Sequence, residues 1–301
     1  MGVTDAHHRG AEHSRAFAIG VALNLGFVAV EAAFGVVAGS LALLADAGHN
    51  LGDVLGLLLA WGATYLARLR PTRRRTFGWR SSTILAALLN AVILLVAVGG
   101  IASEAVRRLY EPAPVAGKTV ILVAAAGIVV NTATALLFRR GRKHDLNIRG
   151  AFLHSAGDAG VSAGVVVAGL GMLATGWTWL DPFISLIIAA VILFGAWGLL
   201  RDSVNLALHA VPEGIDPERV TRYFCGLPGV MAVHDLHIWA MSTTETALTV
   251  HLVKPDPETD DAVMSSATEG LRELFGIQHI TIQWERQDAS GPCQNCCDGL
   301  G

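Results

Sequence analysis

Between residues 16 and 200 the chain is dominated by six apolar runs, at roughly 16–38, 40–67, 81–109, 119–138, 148–174 and 181–200. A helix needs about 20 mainly apolar residues to cross the hydrocarbon core of a bilayer, and every one of these runs is long enough. Composition agrees. Of 301 residues, 52% are hydrophobic and 16% charged, against about 25% charged in an ordinary soluble domain. The expected architecture is therefore a bundle of six transmembrane helices with a modest soluble part. A net charge of -3 gives no support to a nucleic-acid partner. The first 15 residues, MGVTDAHHRGAEHSR, are polar and His-rich, so no cleavable leader is expected there.

The connections fix an orientation. RLRPTRRRTFGWR (68–80) holds six arginines, and RRGRKHDLNIR (139–149) holds five basic residues. The alternate connections near 39–40, 111–118 and 176–182 are poor in basic residues, with Arg107 and Arg108 a local exception. Lys and Arg accumulate in cytoplasmic loops, so both Arg-rich loops, and with six spans both termini, are expected in the cytoplasm. Trp177 and Trp179 fit an outer interfacial belt. The Ala/Gly/Arg-rich composition points to a bacterial plasma membrane, with a vesicle membrane the alternative if the source is eukaryotic.

From about residue 209 the texture changes. Charges return and the apolar runs shorten. DPERVTRYFCGL reads as an amphipathic helix started by Asp216 and Pro217. VMAVHDLHIWAM and TALTVHLVKP read as strands around a polar turn. TDDAVMSSATEGLRELFG reads as a second helix, capped by Thr259 or Asp260 and ended by Gly276. HITIQWE alternates as a strand. The order α-β-β-α-β suits a small α+β sandwich. The resulting division is 1–15, a His-containing tail; 16–208, the six-helix membrane domain; 209–286, the soluble domain; and 287–301, a Cys-rich tail. Three of the four cysteines, Cys293, Cys296 and Cys297, fall in that tail, which points to metal or redox chemistry rather than a disulfide framework. Cys225 reads as a small hydrophobe of the amphipathic helix.

Two of the apolar runs carry the same polar insertion. ADAGHNLGD holds His49 and Asp53; FLHSAGD holds His154 and Asp158. Residues four apart share one helical face. If the second and fifth helices pack together, two imidazoles and two carboxylates converge, a donor set suited to tetrahedral Zn2+. Ionisable groups in mid-membrane are costly and mark function by default. The alternative for either pair alone is a hydrogen-bonded contact that glues helices. Gly48, Gly52 and Gly56 on one helix, and Gly160 and Gly164 on the other, are spaced for a close approach of the two backbones. Asp46 is a relay or a group that orients His49, or else an interfacial capping carboxylate; both stay open. Asn24, Glu31, Asn90 and Asn131 are expected as interhelical hydrogen-bonding groups. An intramembrane hydrolase is disfavoured, because no HExxH occurs and four protein ligands leave no open position for water.

Taken together, LLADAGHNLGD, RRTFGWR, LNIRGAFLHSAGD, DPFISL, VHDLHIW and TIQWE resemble the cation diffusion facilitator family, zinc-transporter branch, over about residues 14–297. The resemblance implies a Y-shaped homodimer in a lipid bilayer. Each protomer would have six membrane helices and a cytoplasmic ferredoxin-like domain. It implies secondary transport in which Zn2+, or Cd2+ or Co2+, leaves the cytoplasm in exchange for protons, with zinc also a regulatory or structural ligand. The transport site carries over as His49, Asp53, His154 and Asp158. A cytoplasmic metal site carries over as His234, His251 and Glu285, with Cys293 and Cys296 of the CQNC tail completing it. His7, His8 and His13 could reach a neighbour's soluble domain. Arg75 and Trp79 stand where some members have loop ligands, and Gln283 where some have His. His237 is open between ligand, core and interface, and His279 reads as surface. The alternative function is a membrane-embedded metal sensor or scaffold without transport.

Overall fold

The structure is a computed structural model that describes residues 24–138, 146–258 and 260–286. Six helices come first: α1 (Asn24–Ala38), α2 (Leu41–Ala67), α3 (Ser82–Tyr110), α4 (Gly117–Phe138), α5 (Leu146–Thr175) and α6 (Leu180–Ala207). Then follow α7 (Pro217–Cys225), β1 (Ala232–Ala240), β2 (Thr246–Val253), α8 (Asp260–Phe275) and β3 (His279–Glu285). The chain forms two compact units, one of residues up to Leu59 with Leu89–Gly198, the other of Ala60–Leu88 with residues from Leu199 onward.

In the first unit, helices α3 to α6 are each long and apolar enough to cross a membrane, and the described part of α1 is shorter. Helix α2 has 27 residues, but Asp46, His49 and Asp53 dilute its apolar character. The bundle buries Phe27, Leu43, Val120, Val165 and Ile188 in one cluster. Large apolar side chains point outward instead, among them Val96 and Phe194, as lipid-facing helices require. The glycines behave differently from the expected pattern. A Cβ at Gly52 would run into Leu94, and one at Gly56 would lie 2.7 Å from the Asn90 side chain, so α2 uses its glycines to approach α3. Among the described residues, nothing lies within 4 Å of a Cβ placed at Gly160 or Gly164. The close approach of α5 is made by Gly169, whose Cβ would meet Ile121 of α4 at 2.6 Å.

The start of α2 is tightly held. Gly39 adopts φ +66° in the turn that ends α1. Ser40 caps α2, its hydroxyl accepting from the Leu43 N–H at 3.2 Å. That hydroxyl donates in turn to Asp181 of α6. The Asp181 carboxylate also accepts from the Leu41 N–H at 2.7 Å and the Ala42 N–H at 3.4 Å. The free N–H groups of a helix start need acceptors when buried, and here a carboxylate 140 residues away in sequence provides them.

In the second unit, β1 pairs antiparallel with β2, and β2 pairs parallel with β3. A parallel pair needs a crossover, and α8 supplies it. Val220 and Phe224 of α7 and Val263, Ala267 and Leu271 of α8 join Val233, Leu248 and Leu252 of the sheet in one core. Cys225 packs half-buried against it. Asp216 caps α7 by accepting from the Glu218 N–H at 2.9 Å, with Pro217 at the first helical position. Of the two expected caps for α8, Thr259 lies outside the described residues; Asp260 is its first residue. Gly276, at φ +66°, follows its end.

Asp260 also ties the crossover together. It accepts from Lys254 Nζ at 3.0 Å and pairs with the Arg286 guanidinium. Arg286 holds the Asp260 carboxyl down to about 2, from an ordinary 3.8. A carboxyl lowered on folding contributes stability above its unfolded value and loses it as pH falls through the folded one. The Asp260→Asn variant is therefore expected to exchange amide hydrogens faster than the parent at the start of α8 at pH 7. The difference should disappear between roughly pH 4 and pH 2. Equal exchange at pH 7 would show that the tie does not hold the crossover.

Candidate metal centres

Helix α2 directs His49 and Asp53 to one side because they are four residues apart, and α5 does the same with His154 and Asp158. The structure brings all four together. His154 Nε2 lies 3.2 Å from Asp53 Oδ2 and 3.5 Å from Asp158 Oδ2. His49 Nε2 lies 3.8 Å from Asp158 Oδ1, and His49 Nδ1 lies 3.7 Å from Asp53 Oδ2. Donor atoms of His49, Asp53 and His154 all fall within 4.8 Å of one another. Asp158 is the most enclosed member, 2% exposed. Asp53 Oδ2 and Asp158 Oδ2 are shielded from solvent, yet neither accepts a hydrogen bond from the described residues. Buried carboxylate oxygens without hydrogens are costly. His49, Asp53 and His154 form a three-donor set that could hold a divalent cation, and Asp158 adjoins it beside both histidines.

Asp46 is fully buried. Ser162 of α5 donates to its Oδ2 at 3.2 Å, and the Asn50 amide donates to its backbone carbonyl at 3.1 Å. Among the described residues, the Asn131 side chain and Asn90 Oδ1 make no hydrogen bond, against the expectation of interhelical bonding there. Arg75 stacks over the Trp79 ring at 3.8 Å.

A second cluster sits on the sheet. His234 and His251 are directly opposed in the β1–β2 register, with ring centroids 5.3 Å apart. Glu285 reaches both from β3: Oε2 lies 2.9 Å from His234 Nε2, and Oε1 lies 3.0 Å from His251 Nδ1. The three offer ligand atoms within 4.8 Å of one another. Asp235 was not foreseen here. A bulge interrupts the pairing between His234 and His237, and Asp235 takes φ +52° in it, a conformation that Asp tolerates better than most residues. This turns its carboxylate to within 3.6 Å of His251 Nε2 and 3.0 Å of His237 Nε2. His237 is exposed and outside the cluster. His279 is exposed and packs edge-on against Phe77. Cys293, Cys296, Cys297, His7, His8 and His13 lie outside the described residues.

Residues 17–206 match a family profile described as the cation efflux transmembrane domain, and residues 212–287 match the cation efflux protein, cytoplasmic domain. The chain belongs to the cation efflux family. Among similar relatives in that family, the zinc transporter ZitB of Escherichia coli K12 is 38% identical, over 99% of this chain and 95% of its own length. The metal cation efflux system protein CzcD of Cupriavidus metallidurans is 34% identical, over 98% and 92%. A Bacillus subtilis cadmium, cobalt and zinc/H+-K+ antiporter is 34% identical, over 93% and 91%. A solved metal-bound C-terminal domain of the CzcD transporter from Cupriavidus metallidurans is 37% identical and matches 24% of this chain and 99% of that one, with a TM-score of 0.22.

Proposed function

We propose that this cation efflux protein is a secondary transporter that exports Zn2+, and accepts Cd2+ or Co2+, in exchange for protons. The observation that supports the reading is the grouping of His49, Asp53 and His154 between α2 and α5, with Asp158 beside both histidines. Zinc is the cargo there. Each ligand uses the same lone pairs for metal and for hydrogen, so binding and protonation compete. An imidazole titrates near neutral pH. A proton from outside therefore weakens the cargo's hold, and exchange needs only that the site open to one side at a time. The family and its relatives are metal transporters, which fits a chain that moves an ion rather than transforming a substrate.

Several finer features belong to the same proposal. The protein sits in the plasma membrane with the Arg-rich loops and both termini cytoplasmic, in keeping with the positive-inside bias. It works as a homodimer. His234, His251 and Glu285 would hold a regulatory or structural zinc, with Cys293 and Cys296 as further ligands. Two imidazoles and a carboxylate within 4.8 Å fit that ion. Bound there, it would bridge β1, β2 and β3. If it binds one dimer arrangement more tightly than another, it shifts the population toward that arrangement. Asp46 lies on the proton side of the reaction rather than in the ligand set.

The test is zinc uptake into proteoliposomes with an imposed proton gradient. Wild-type flux is expected to rise with the gradient and to collapse when a protonophore dissipates it. Zinc bound by the soluble domain without any gradient-driven flux would instead favour a sensor or scaffold.

A further inference from the structure

Beside the His–Asp cluster the membrane unit buries two more carboxyl groups. Glu31 on α1 and Asp46 on α2 are each 0% exposed. The Glu31 carboxyl meets that of Asp46 at hydrogen-bonding range, but two carboxylates bring no hydrogen to such a meeting. The Asn50 amide, which carries two hydrogens, also lies at hydrogen-bonding range of Glu31 and donates to Asp46, through the backbone carbonyl at 3.1 Å and Oδ1 at 3.5 Å. Ser162 serves the other Asp46 oxygen. Among the described residues, neither Glu31 oxygen has a hydrogen-bond donor in place. The remaining titratable groups that face the pair are Asp158, toward both carboxyls, and His49, toward Asp46. Leaving a charged acceptor buried and unserved is among the most costly defects a fold can carry. One hydrogen relieves it: an O–H on Glu31 donating to Asp46 places a donor between the two carboxyls, where neither supplies one when ionised.

We propose that Glu31 and Asp46 together hold one exchangeable proton beside the zinc cluster, released to solvent when zinc binds and regained when zinc leaves. The inference rests on the reading of His49, Asp53, His154 and Asp158 as the cargo site. A divalent ion at that cluster favours the ionised form of nearby carboxyls. The balance is simple: the protonated pair and an incoming Zn2+ give the ionised pair, bound Zn2+ and one free proton. Glu31 acts without touching the metal.

The experiment counts protons released per zinc by the full-length protein in detergent, using Zn2+ alone in weakly buffered solution with a pH indicator. A His251→Ala background suppresses the cytoplasmic site. Glu31→Gln brings an N–H where the pair lacks one and so mimics the protonated pair. It is expected to bind zinc while releasing about one proton fewer than its parent, with the slope of log Kd against pH reduced by about one. Asp46→Asn is expected to show the same deficit and serves if Glu31→Gln does not fold. An unchanged proton count in both variants overturns the proposal, since a purely structural role would alter affinity but not the count. A count that follows K+ when choline replaces it also overturns it, by putting a metal cation in the proton's place. His154→Ala is the control on the underlying reading. If membrane-site zinc binding survives in it, the cargo site is wrong whatever the proton count.

Discussion

Asp158→Ala is expected to abolish gradient-driven zinc flux, lowering it at least about a hundredfold. Loss of a group that merely orients a ligand costs roughly 10- to 100-fold in metal affinity, and loss of a ligand should cost no less. Asp158 is singled out because it alone of the four is almost fully enclosed and because it lies beside both histidines. Removing it leaves two imidazoles and one carboxylate, so the bound cation keeps an uncompensated charge in a medium that tolerates charge poorly. Asp158→Asn keeps the shape but not the charge and should recover little. The measurement is zinc uptake in proteoliposomes, with protein incorporation matched and zinc binding at the cytoplasmic cluster unchanged. Flux within a few-fold of wild type would remove Asp158 from the ligand set. His154→Ala would then decide whether any of the four coordinates.

The proximity of the two His–Asp pairs was legible because its signal is local and doubled. A His and an Asp four apart must share a helical face, and the same word in two apolar runs asks for one meeting point. The α-β-β-α-β order of the soluble domain was legible for a related reason: caps such as Asp216 and alternation such as HITIQWE act over a few residues. What could not be read depends on partners far away in sequence. The spacing of Gly160 and Gly164 suggested a seam with α2, but helical spacing says only that a side is smooth, not which neighbour uses it. Glu31 resembled ordinary interhelical glue because nothing in the sequence says that the group opposite is another acceptor. Asp235 was hidden by a bulge: in an unbroken strand the residue after His234 points to the opposite face, away from the cluster.

Asp181→Ala is expected to destabilise the membrane domain by about 2–4 kcal/mol and to weaken transport without touching a ligand. Three donors lose their acceptor at once: the Ser40 hydroxyl and the N–H groups of Leu41 and Ala42. All sit at a fully buried helix start, where water cannot replace the carboxylate. A negative charge there also complements the α2 dipole. The cost extends to function because α2 carries His49 eight residues further on, roughly 12 Å along the axis at 1.5 Å per residue. A small tilt at the cap therefore moves a ligand that must stay within reach of α5. Arg108 reinforces the same corner by donating to the Gly39 carbonyl. The check is a thermal melt in detergent alongside zinc uptake. Asp181→Asn, which keeps one acceptor oxygen, should fall between wild type and alanine in both. If alanine leaves the melting temperature and the flux unchanged, α2 is held in place by its packing against α3 and not by the carboxylate at its start.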